Sequence, residues 1–125
     1  MLCPCRKKSE ARGYADCCGP YHAGAAVPRT AEALMRSRYS AFALRKAAYV
    51  LGTWHVSTRP PAIEFDPAQE WMLLRVIAAH TEGECATVEF VARSRTGGRT
   101  DALHEISRFI RENGRWWYVD GVLKS

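Results

Sequence analysis

No run of about 18 apolar residues occurs in this 125-residue chain, so nothing in it reads as a membrane-spanning helix. An apolar stretch behind a basic start is also missing from the first residues, Met1-Leu2-Cys3-Pro4-Cys5-Arg6-Lys7-Lys8, so no secretory signal is expected and the expected location is the cytoplasm. Acidic residues are scarce relative to basic ones, 13 against 18, giving a formal charge of +5. Such a balance permits contact with nucleic acid or an acidic membrane without demanding it. Beyond residue 18 the chain has a single cysteine, Cys85, expected as a buried thiol of the strand region, so no disulfide framework can hold the body together. There is no internal repeat and no low-complexity tract. What remains, with 47% hydrophobic residues, is enough to build one ordinary core.

The other four of the five cysteines, Cys3, Cys5, Cys17 and Cys18, all fall within the first 18 residues. Clustered cysteines in a reducing compartment bind metal or do redox chemistry more often than they form structural bridges. Two close pairs can supply the four soft ligands of a zinc tetrahedron, and His22 is an alternate ligand four positions after Cys18. Arg6, Lys7 and Lys8 would offset the charge of such a site. A redox pair and a metal-free remnant are the competing readings. Residues 1–28 are punctuated by Gly13, Gly19-Pro20, Gly24 and Pro28 and read as irregular, so the metal would have to order them.

Thr30 is placed to cap a helix starting at Ala31, with Glu32 in its first turn. Ala31, Leu34, Met35, Tyr39 and Phe42 mark one helical face, while Arg36, Ser37, Ser40 and Arg45 fall on the other. A second helical stretch is expected from Ala47 to about Trp54. A loop with one short helical turn near Asp66 to Glu70 follows. Four strands are then expected: Trp71 to His80, Cys85 to Arg95, Thr100 to Arg111 and Arg115 to Val122. Thr81–Glu84, Gly97-Gly98 and Asn113-Gly114 supply the turns. Helices followed by an antiparallel meander give an α+β fold, with N-terminal helices packed on a curved four-stranded sheet. The expected division is a cysteine-rich segment 1–28 and an α+β domain 29–125.

The series Cys3-Pro4-Cys5, Cys17-Cys18, Met35-Arg36-Ser37-Arg38-Tyr39-Ser40-Ala41-Phe42, Thr53-Trp54-His55, Ser107-Arg108-Phe109 and Trp117-Tyr118-Val119-Asp120-Gly121 resembles the bacterial YchJ-like family. Its members bear SEC-C motifs, named for the zinc-binding tail of the SecA translocase. The resemblance implies a cystatin-like cone of the nuclear-transport-factor-two type and carries the zinc ligands over to Cys3, Cys5, Cys17 and Cys18. It departs from the usual motif in having Arg6-Lys7-Lys8-Ser9 in place of a Gly-Ser-Gly stretch. It implies no reaction.

A curled sheet over helices encloses a pocket, and polar groups meeting there would form a site. On the third strand Leu103, Glu105, Ser107 and Phe109 share a face, opposite His104, Ile106, Arg108 and Ile110. On the fourth, alternation groups Trp116, Tyr118 and Asp120. Arg36, Arg38, Tyr39, Trp54 and His55 from the helices could converge with Glu105, Arg108, Tyr118 and Asp120. Each has a plainer alternative: the arginines fasten helix to sheet, His55 caps its helix, and Glu105 pairs with Arg93 or Arg115. No nucleophile–base set is visible. The functional expectation is therefore a zinc-binding adaptor for a protein or nucleic-acid partner. A small-molecule or enzymatic pocket inside the cone, or a purely structural cysteine segment, are the alternatives.

Overall fold

The computed structural model describes residues 1–6 and 10–124. Three helices, α1 (Gly19–His22), α2 (Ala31–Ala43) and α3 (Ala47–Gly52), precede four strands, β1 (Gln69–Glu82), β2 (Cys85–Thr96), β3 (Arg99–Glu112) and β4 (Arg115–Leu123). The strands form one antiparallel meander in the order β1-β2-β3-β4. No helix among the described residues is long and apolar enough to cross a membrane.

Local chemistry accounts for most boundaries. Thr30 Oγ1 accepts the Ala33 N–H at 3.0 Å, satisfying one of the free donors at the start of α2. Gly97 and Gly98 have φ of 57° and 87°, and Asn113 and Gly114 have 55° and 77°. These left-handed pairs are the turns whose twist matches paired strands. The second helix stops short of Trp54: Gly52 is its last residue, and Trp54 instead makes a parallel bridge to Tyr118 of β4. The helical turn expected near Asp66 to Glu70 does not form: Asp66 Oδ1 accepts the Ala68 N–H at 2.9 Å in an Asx turn, and β1 begins directly after it at Gln69.

Three register shifts bend the sheet: two in β1, at Trp71/Leu73 and Val76/Ala78, and one between Arg108 and Phe109 where β3 meets β4. A bulge puts an extra residue on one strand and increases its twist. In β4 the extra residue is Val119, because Phe109 faces Tyr118 while Arg108 faces Asp120. Strict alternation past this point therefore fails. Tyr118 turns inward and Asp120 outward, not onto one face.

Leu34, Met35, Tyr39, Leu74, Val88, Phe90, Phe109 and Trp116 form the core, and Cys3, Cys5 and Cys18 belong to the same buried cluster. The polar side of α2 is consequently not a solvated face. Ser37 and Ser40 are both fully buried, because the cysteine segment packs over them. Cys85, expected inside, is exposed at the start of β2.

Candidate functional site

The N-terminal segment is folded back on itself by a bridge between Leu2 and Gly13, with the Cys3 N–H donating to the Arg12 carbonyl at 2.8 Å and the Tyr14 N–H to Met1 at 2.9 Å. A 3₁₀ turn, Tyr14–Asp16, leads to Cys17, and Cys18 is the cap of α1. At Gly19 a Cβ would lie 2.8 Å from the Tyr14 carbonyl oxygen, so only glycine lets α1 start this close to the turn. This folding brings Cys3-Pro4-Cys5 against Cys17-Cys18.

The four Sγ atoms lie within 4.8 Å of one another. Cys5 is 3.7 Å from Cys3, 3.6 Å from Cys17 and 3.6 Å from Cys18. A regular tetrahedron with metal–sulfur bonds of about 2.3 Å has edges of about 3.8 Å, so the four sulfurs fit an ion at their centre. A disulfide needs about 2.05 Å, and all of these thiols are free. Cys3, Cys5 and Cys18 are buried and Cys17 half-buried, so an ion here would be shielded from water.

The surroundings favour charge on sulfur. Ser40 Oγ lies 3.4 Å from Cys3 Sγ and 3.3 Å from Cys18 Sγ, a hydroxyl placed to serve either. Arg6 sits beside Cys17, whose sulfur raises the guanidinium pKa above its usual value, and its Nε is buried with no partner among the described residues. Lys7 and Lys8, expected to add positive charge, lie outside the described residues. Contact with the Cys18 sulfur, reinforced by Cys5, holds the Cys3 thiol far below its ordinary range, and Cys3 in turn pushes Cys18 far above it. A cation at the centre would stabilise the cysteines as thiolates.

His22 is not a fifth candidate. Its Nε2 donates to the Ser37 carbonyl at 2.8 Å, which leaves Nδ1 to accept the Tyr14 hydroxyl at 2.6 Å. Its ring also packs 4.6 Å from that of Tyr49. Burial lowers its pKa, and as a neutral ring with both nitrogens engaged it ties the 3₁₀ turn to α2 and α3.

Arg36 belongs to this side as well: its Nε bonds Glu32 at 3.0 Å and its Nη1 donates to the Cys5 carbonyl at 2.8 Å. The block Met35–Ser40 is thus divided between two tasks. Arg36, Ser37 and Ser40 hold the cysteine segment, whereas Met35, Arg38 and Tyr39 face the interior of the cone. The roles of Ser37 and Ser40 were missed in the sequence; their spacing on one face of a helix was the available signal.

The cone interior holds a cavity of about 180 Å³ beneath α2. Arg38, Tyr39, Trp54, Glu105 and Tyr118 line it, together with Met35, Phe42, Trp71 and Ser107. The other expected members lie elsewhere. Arg108 and Asp120 pair on the outer face through two 2.6 Å bonds, because the Val119 bulge turns Asp120 outward. His55 is pinned outside by Ser57, at 2.7 Å, and by Glu112, at 3.2 Å. Glu105 faces Phe90 and Leu123 in register, not Arg93 or Arg115. The arginine that fastens α2 to α3 does so through neutral acceptors: Arg38 Nη1 donates to the Val50 carbonyl and to Thr53 Oγ1, both at 2.7 Å.

Residues 30–121 match the family described as the YchJ middle NTF2-like domain. The chain is 50% identical over 126 residues to a UPF0225 protein of Bordetella pertussis, covering 98% of this chain and 92% of that one. A UPF0225 protein of Ralstonia nicotianae is 51% identical over 135 residues, with 97% and 90% covered. Among solved structures, a SEC-C motif containing protein from Rhodopseudomonas palustris superposes with a TM-score of 0.85 at 35% identity over the whole of both chains. A second, from Psychrobacter arcticus, gives 0.81 at 30% identity, covering all of this chain and 84% of the other.

Proposed function

The chain belongs to the YchJ middle NTF2-like domain family, and from that premise we propose that residues 1–28 are a zinc knuckle that presents a docking surface beside the cone of residues 29–125. The observation that carries this reading is the packing of four free sulfurs within 4.8 Å of one another in a buried setting. When bound, zinc supplies a cross-link between the two cysteine pairs. Four thiolates leave no open coordination position, so the site is of the structural kind and not the hydrolytic kind. Cys3, Cys5, Cys17 and Cys18 hold the ion, Ser40 and Arg6 stabilise the thiolates, and Arg36 fixes the Cys5 backbone. The SEC-C motif borne by the solved relatives supports the same assignment. Free thiols at this density suit the reducing cytoplasm.

Met1, Leu2, Arg12, Val27 and Arg29 are exposed. The charge of +5 suits an acidic protein or nucleic-acid partner. The test is co-purification from cell extract, wild type against Cys17→Ser and Cys18→Ser, with bound zinc measured in each. A specific partner retained by wild type and lost with the zinc supports the adaptor role. An identical set of captured molecules from all three proteins overturns it and leaves the knuckle as a brace. For a nucleic-acid partner, affinity falls steeply as salt rises.

A further inference from the structure

The cavity under α2 has walls that are mostly aromatic, interrupted by two charged groups, Arg38 and Glu105. Arg38 is 6% exposed and makes no ion pair among the described residues; its bonds go to a carbonyl and a hydroxyl. Its guanidinium lies over the Tyr118 ring at 4.2 Å and the Trp54 ring at 5.1 Å. Burial lowers its pKa to about 10, which leaves it charged at neutral pH. A buried charge is retained at a cost unless something pairs with it.

Glu105 stands in the same cavity wall. One of its oxygens accepts the Ser107 hydroxyl at 2.5 Å, and its carboxylate lies over Gly121, where no Cβ would fit. Its charge acts on Arg38 without contact between them. Tyr39, 5% exposed, contributes its ring to the lining, while its hydroxyl is closed off from the cavity.

We propose that this cavity binds a small, neutral, planar ring bearing a lactam or amide edge, its carbonyl directed to Arg38 and its N–H to Glu105. A donor and an acceptor that share a wall without touching each other are bridged by a group carrying both functions. One positive and one negative wall group disfavour a charged occupant of either sign. Trp54 and Phe109, each packed edge-on against Tyr118 in the lining, suit an apolar ring. The volume suits about one ring, since apolar cavities of about 150 Å³ accept benzene.

The test uses the full, zinc-loaded chain and amide NMR titrations with 2-pyridone, benzoate and benzene. The expected result is a saturable shift of α2, β3 and β4 resonances by 2-pyridone, with benzoate and benzene at least about tenfold weaker. Arg38 is a poor variant because its bonds join α2 to α3, so the informative one is Glu105→Gln. Glu105→Gln keeps the folded spectrum and weakens 2-pyridone by about tenfold. No saturable shift at about 10 mM 2-pyridone, benzene binding equally well, or benzoate binding more tightly would each overturn the proposal. So would Glu105→Gln leaving 2-pyridone affinity unchanged.

Discussion

The Ser40 hydroxyl of α2 lies 3.3 Å from the Cys18 sulfur, so the first long helix reaches into the shell around the cysteine cluster. Removing that hydroxyl changes almost nothing in volume. Ser40→Ala is therefore expected to keep the fold while lowering zinc affinity by about 10–100-fold, as loss of an outer-shell partner does at other metal sites. Competition titration against a chromogenic chelator measures it; unchanged affinity would remove Ser40 from the site.

Leu34 is 1% exposed and packs in the same buried cluster as Cys3, Cys5 and Cys18. Leu34→Ala should cost about 2–5 kcal/mol of folding stability through lost burial and the cavity left behind. Urea unfolding of the zinc-loaded protein gives the value. A cost below about 1 kcal/mol would mean that helix and cysteine segment are not one packed unit.

His22 makes the metal-free protein sensitive to acid. Burial lowers its pKa, so its neutral form is favoured by folding. The contribution is fully present above the unfolded value of about 6.5 and is lost as pH falls through the lower folded value. Protonation puts a hydrogen on Nδ1, where the Tyr14 hydroxyl now donates. Thermal melts with chelator present should fall between about pH 7 and pH 5, and His22→Gln should flatten that fall. A wild-type slope equal to the variant's would contradict the assignment.

How much of this was readable in the sequence depends on whether a feature is set locally. The hairpins were legible because Gly97-Gly98 and Asn113-Gly114 adopt left-handed backbone wherever they occur in tight turns. Thr30 signalled its helix for the same reason. The outward turn of Asp120 was not legible. One extra residue at Val119 breaks the two-residue period, and nothing in Trp117-Tyr118-Val119-Asp120 marks where the bulge must fall. Nor could helical periodicity reveal that Ser37 and Ser40 are buried, because the segment covering them packs from elsewhere in the chain. The cysteine spacing brought Cys3, Cys5, Cys17 and Cys18 into consideration together. Only the fold showed that His22 is occupied by Tyr14 and Ser37.

Gly121 offers a separate probe of the cone. A Cβ at this position would collide with the Glu105 side chain, which is flexible at its end. Gly121→Ala should thus displace the carboxylate and break its bond from Ser107 while costing no more than about 1–3 kcal/mol. A chemical-shift map confined to β3 and β4 near residues 105–107 and 121 would agree; unfolding of the whole sheet would not.

The most direct measurement is X-ray absorption at the zinc edge on protein purified under reducing conditions and loaded with one equivalent of zinc. Four sulfur scatterers at about 2.3 Å are expected, dropping to three in Cys17→Ser. A shell of oxygen or nitrogen at about 2.0–2.1 Å in the wild type, or failure to retain zinc at all, would contradict a four-cysteine centre.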